Sequence, residues 1–94
     1  MINMVYITSR PSPDPFTVRV SGTRKKKLEQ RVGHKVISVR DGSSWDYLIT
    51  DDDAVRLGLL TEQQKYTRRA EKGIPYSEVR LYYWDGTKLK KKEK

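Results

Sequence analysis

Residues 35–50, KVISVR-DGSS-WDYLIT, constrain the fold of this chain more than any other stretch. Two runs rich in β-branched and aromatic residues flank a turn cluster containing Asp41-Gly42, a strong local signal for a β-hairpin. On the second arm Trp45, Tyr47 and Ile49 share one face, and Asp46, Leu48 and Thr50 share the other. The first arm alternates less cleanly, with Val36, Ile37 and Val39 all apolar, which predicts a strand in the middle of a sheet covered on both sides. Such a hairpin needs partner strands, and the chain offers candidates before and after it.

Before it lie Met4 to Thr8, a short apolar run, and Phe16 to Val20, in which Phe16, Val18 and Val20 alternate with Thr17 and Arg19. The prolines of the intervening Arg10 to Pro15 segment remove backbone donors and predict a stiff loop. After the hairpin, Glu78 to Trp84 reads as another strand, with Val79, Leu81 and Tyr83 inward and Arg80, Tyr82 and Trp84 outward. Asp85-Gly86 then turns the chain into a short last strand near Lys88 to Lys90.

Helical signals fill the gaps. Thr23 to Gly33 supports either of two readings: a short helix with Thr23 as N-cap, Leu28 and Val32 on one face and Gly33 as C′, or a solvated basic loop. In the helical reading Arg24, Lys25, Lys26 and Lys27 crowd a first turn whose dipole favours negative charge. A bound anion would relieve that conflict. Asp51-Asp52-Asp53 reads as the start of a helix running to Leu60, because carboxylates there cap orphan N–H groups and complement the dipole. No calcium-loop pattern accompanies the cluster, so no metal site is expected. A second helix opens on Thr61 and Gln64 at capping-box spacing, turns Tyr66 and Ala70 inward, leaves Lys65, Arg68, Arg69 and Lys72 outward, and closes at Lys72-Gly73.

Together these elements predict an α+β domain over residues 1–87, an antiparallel sheet of about four to six strands with one or two short helices on one face, followed by a Lys-rich tail over 88–94. Ninety-four residues with 35% apolar side chains make one thin core, which gives the six Tyr and two Trp added weight. Ile37, Val39, Tyr66, Leu81 and Tyr83 join the alternating valines among the expected core residues. The absence of Cys excludes a disulfide scaffold and thiolate metal sites. With no apolar run of membrane-spanning length and no signal-like start, the expectation is a soluble, cytoplasmic protein.

Charge points to function. The net +8 is segregated: residues 1–22 carry +1, 23–40 carry +6, 41–60 carry −4 and 61–94 carry +5. Basic blocks of that kind favour polyanions. The expected contact set combines phosphate-binding cations, Arg19, Arg24, Lys25, Lys26, Lys27, Arg31, Lys35, Arg68, Arg69, Arg80, Lys88 and Lys90, with Tyr82 and Trp84 as stacking surfaces. The primary expectation is a nucleic-acid-binding module, for DNA or RNA alike. Its alternative is an interaction or assembly module, of the kind small viral or mobile-element proteins supply, docking on an acidic protein surface; a homodimer covering an edge strand fits either. Catalysis has little support. His34 is the single histidine, no nucleophilic dyad or triad is identifiable, and Arg19, His34, Arg80 and Tyr82, types that RNA-cleaving toxins use, share no motif. No cofactor motif is present.

Overall fold

Val18 and Val20, separated by Arg19, place two β-branched side chains on one side of a five-residue strand and leave the other side polar. A computed structural model describes residues 5–93 and shows what this strand pairs with. Strands β1 (Tyr6–Ile7), β2 (Thr17–Ser21), β3 (Ile37–Asp41) and β4 (Ser44–Thr50) form an antiparallel sheet in the order β1-β2-β4-β3. Helix α1 (Lys25–Val32) links β2 to β3, α2 (Asp51–Arg56) and α3 (Glu62–Glu71) follow β4, and β5 (Tyr82–Trp84) pairs with β6 (Leu89–Lys91) in a separate two-stranded ribbon. This is an α+β fold. The start of the expected first strand, at Met4, and Lys94 of the tail lie outside the described residues.

The hairpin forms where its turn signal lies. Asp41 pairs with Ser44 across Gly42 and Ser43, and Gly42 takes φ 58°, which glycine adopts without a Cβ penalty. Positive φ at the first turn position alone matches the type II′ geometry that suits strand twist. Strand order corrects one expectation. β4, not β3, lies inside the sheet, because β2 pairs with β4 through Val18–Ile49 and Val20–Tyr47, leaving β3 as an edge. Ile37 is accordingly 66% exposed and lies outside the core, and Val39 is only half-buried.

The core lies on one face of the sheet. Val18, Val20, Tyr47 and Ile49 pack there with Leu28 and Val32 of α1, Val36, Ala54 of α2 and Val5. The region 23–33 is therefore a helix, drawn down by Leu28 and Val32 at i and i+4. It ends where Gly33 enters the left-handed region and donates its N–H to the Glu29 carbonyl. Its start differs from the expected one. Arg24, not Thr23, is the N-cap, and it contributes no side-chain hydrogen bond.

The expected inward face of α3 is inverted. Tyr66 and Ala70 are half-buried, whereas Lys65 and Arg69 are buried at 6% and 0% exposure. The helix starts as expected, with the full Thr61–Gln64 capping box. The last strands also differ. Residues 79–81 form a 3₁₀ turn rather than the first half of a strand, whereas the expected short last strand does form, shifted by one residue to Leu89–Lys91, and pairs with β5. The Pro-rich loop is tied down by the C-cap of α3, where Lys72 Nζ donates to the carbonyl and hydroxyl of buried Ser12 at 2.9 and 3.0 Å. Among the described residues, no helix is long and apolar enough to cross a membrane.

This architecture separates two apolar residues that look alike in sequence. Leu28→Ala is expected to cost about 2–5 kcal/mol, since it opens a cavity in the core. Ile37→Ala on the exposed edge is expected to stay within about 0.5 kcal/mol. Urea unfolding of the two variants checks the contrast; equal costs would place Ile37 in the core.

Candidate functional site

The three adjacent aspartates each hold a different cation. Thr50 is the N-cap of α2 and accepts from the Asp53 amide at 3.1 Å, which leaves the carboxylates free to reach across to other elements. Asp51 meets Arg69 in a bidentate pair at 2.6 and 2.7 Å, with both side chains shut off from solvent. Arg69 also donates to the Val79 carbonyl at 2.6 Å and lies over the Phe16 ring. Asp52 accepts from Lys65 Nζ at 2.8 Å and from the Trp84 amide at 3.1 Å. Asp53 pairs with His34 Nε2 at 2.6 Å and with Arg56. These contacts join α2 to α3, to the β5 ribbon and to the end of α1.

Burial pushes the Asp51 carboxyl above the usual carboxylate range, and the Arg69 guanidinium pulls it back toward ionisation. For Lys65 burial disfavours the ammonium, but the hydrogen bond and charge of Asp52 outweigh it and raise its pKa. Around this cluster lies a cavity of about 580 Å³ lined by His34, Asp52, Asp53, Glu62, Trp84 and Asp85 among others. Carboxylates dominate its polar lining, which disfavours a phosphate. Among the described residues no group of His, Asp and Glu is arranged to hold a metal ion.

The expected contact residues divide according to this cluster. Arg69 is removed from the set, because a fully buried guanidinium bonded to Asp51 cannot reach a ligand. Arg19 is also engaged, donating to buried Asp46 at 2.7 Å on the sheet face away from the helices. The idea of one open strand face carrying Arg80, Tyr82 and Trp84 is corrected as well. Arg80 belongs to the 3₁₀ turn and lies over Tyr66, Tyr82 packs on Phe16 with centroids 4.8 Å apart, and Trp84 packs on His34 at 5.5 Å. Arg19, His34, Arg80 and Tyr82 thus each have a different partner, and no shared acid–base arrangement joins them. Arg68 is half-buried on α3, Lys88 is exposed in the β5–β6 turn, and Lys90 pairs with Asp85 at 2.9 Å.

The largest group left accessible is the block on and beside α1. Arg24, Lys25, Lys26, Lys27, Arg31 and Lys35 are all exposed, and among the described residues none forms an ion pair. The one acid of α1, Glu29, is turned inward and accepts from the Val36 amide at 2.9 Å. The first turn contains no acid and no side-chain cap. Two further residues lie at this end of the sheet. Trp45, 49% exposed, carries the Arg40 guanidinium 5.5 Å from its ring centroid, and sequence reasoning put neither in the contact set. The available signal was position: Trp45 follows the hairpin turn by two residues, beyond the reach of the core.

Compared with protein-family models, curated proteins and solved structures, the chain matches none.

Two outcomes follow from the ion pairs. Arg69→Met is expected to destabilise the fold by about 3–5 kcal/mol by stranding Asp51, and the double variant Asp51→Leu/Arg69→Met to recover part of that loss. Denaturant midpoints decide it, and a double variant as unstable as the sum of both single changes would contradict the pairing. The second concerns Asp85. Its carboxylate accepts from the Lys88 and Thr87 amides, each at 2.8 Å, and pairs with Lys90. The Lys88 bond, then Lys90, holds its pKa well below the usual carboxylate range. With the folded pKa lowered, the turn's stabilisation is present above the unfolded value and is lost only as pH falls through the folded one. The Thr87 and Lys88 amide resonances should therefore hold steady through about pH 4 and move in stronger acid; a midpoint near 4 would contradict this.

Proposed function

We propose that the protein binds a polyanion, nucleic acid above all, through the cationic surface of α1 and Lys35. One observation carries the reading. Buried Lys65 and Arg69 are matched by carboxylates, whereas the six cations between Arg24 and Lys35 form no ion pair among the described residues and are gathered on and beside α1. Four of them crowd a helix start that the dipole already makes positive, an arrangement that weakens the free helix. A sequence selected for stability alone would put acids there. Phosphates approaching the patch would relieve the repulsion and release counterions.

A second reading has its own support. The edge strand β3 exposes Ile37, and beside it runs a largely apolar groove of about 610 Å³ whose lining includes Phe16, Ile37, Leu48, Trp84 and Leu89. A protein-interaction module would use this side, and the cations would then meet an acidic protein surface.

The test is a salt titration of nucleic-acid binding. For single-stranded DNA, Lys26→Gln/Lys27→Gln is expected to reduce the slope of log K against log salt by about 1.4, at about 0.7 per phosphate contact. The same substitutions should leave the fold as stable as before or firmer by a few tenths of a kcal/mol each, since they ease the first turn. Anisotropy and thermal melting measure the two quantities. An unchanged slope would move the contact elsewhere and favour the protein-interaction reading.

A further inference from the structure

We infer that the polyanion is single-stranded nucleic acid and that a base stacks on Trp45, with Arg40 supporting the indole from behind; the inference rests on the polyanion reading above. Trp45 is one of the few large apolar side chains left exposed, and it projects from the hairpin at its turn. Arg40 faces it directly across the β3–β4 ladder. The Arg40 Nε donates to the Gly42 carbonyl at 2.9 Å, so the turn itself fixes the guanidinium over the ring at 5.5 Å. That arrangement holds a flat aromatic surface with positive charge beside it, the combination on which unpaired bases stack.

Topology brings this pair to the basic block. Val20 pairs with Tyr47, so β2 leaves the sheet at Ser21, close to the level of Trp45. Helix α1 starts four residues later and runs back over the same face, where Leu28 and Val32 join Tyr47 in the core. Trp45 lies on the face of Tyr47 and Ile49 by strand alternation, one step past where the core ends. Arg24 to Lys27 and the Arg40–Trp45 pair therefore open at one end of one face. A strand whose phosphates follow the α1 cations has its bases within the same neighbourhood. A duplex keeps its bases stacked on one another and offers the indole no free ring.

The discriminating experiment measures anisotropy of a labelled oligothymidylate of about twelve nucleotides, and of a duplex of similar length, with wild type, Trp45→Ala, Trp45→Phe and Arg40→Met. Trp45→Ala is expected to weaken single-strand binding about five- to a hundred-fold, with duplex binding nearly unchanged, and Trp45→Phe to keep most of the affinity. Arg40→Met should give a smaller loss on the single strand. In a Trp84→Phe background, where Trp45 is the sole indole, its emission should be quenched by the oligonucleotide. Salt-sensitive binding that Trp45→Ala leaves intact, or an equal loss on both ligands, would overturn the stacking role while leaving the polyanion reading in place. Wild type binding neither ligand would overturn both.

Discussion

The bidentate bond between Asp51 and Arg69 is the contact that ties α3 and the 3₁₀ turn to the rest of the fold. The apolar core comes from the sheet, α1, Val36 and Ala54, and α3 adds no fully buried apolar residue of its own. That helix is held instead by two cations one turn apart, Lys65 and Arg69, which reach Asp52 and Asp51 at the start of α2. Arg69 continues to the Val79 carbonyl, so the 3₁₀ turn that leads into β5 is fixed by the same side chain. Phe16 covers the guanidinium and Tyr82 covers Phe16. A buried charge network of this kind tolerates the loss of a member badly, because desolvation leaves the remaining charge without compensation.

This use of charge in the interior determines what the surface presents. Asp51, Asp52 and Asp53 are occupied by Arg69, Lys65, His34 and Arg56, and Asp46 by Arg19. Asp51, Asp52 and Asp53 thus lie where α2, α3 and the ribbon meet, at the end of the sheet remote from the hairpin turn. At the turn end, α1 begins with unmatched cations beside Arg40 and Trp45. The start of α1 is made less stable by its own charges. Local strain retained in this way, with no structural gain to offset it, is what a binding surface for a polyanion would need.

Much of the fold was legible in the sequence because its signals are local. Asp41-Gly42, the Thr61–Gln64 box and Gly33 after Val32 each act within a few residues, and each is found where it was read. Strand order was not legible, since nothing local says that β4 lies between β2 and β3, and Ile37 was placed inside on its composition alone. The face of α3 was read inverted for a different reason. Periodicity counts Lys and Arg as outward, and their partners lie 13 and 18 residues away, beyond any helical spacing. Of the proposed site, the α1 block was visible as a charge run, whereas Tyr82 and Trp84 were read as the stacking surface in place of Trp45, for which we propose that role.

The interior neutralises one set of cations, and we propose that the other is left for a phosphate backbone. Lysine modification with an acylating reagent, read by mass spectrometry with and without an oligonucleotide, tests both halves in one measurement. Lys65 is expected to stay unmodified in the folded protein in either condition, while Lys25, Lys26, Lys27 and Lys35 react freely and are protected by the ligand. Protection confined to Lys88, Lys90, Lys91 and Lys92, or modification of Lys65 at the rate of a surface lysine, would contradict it.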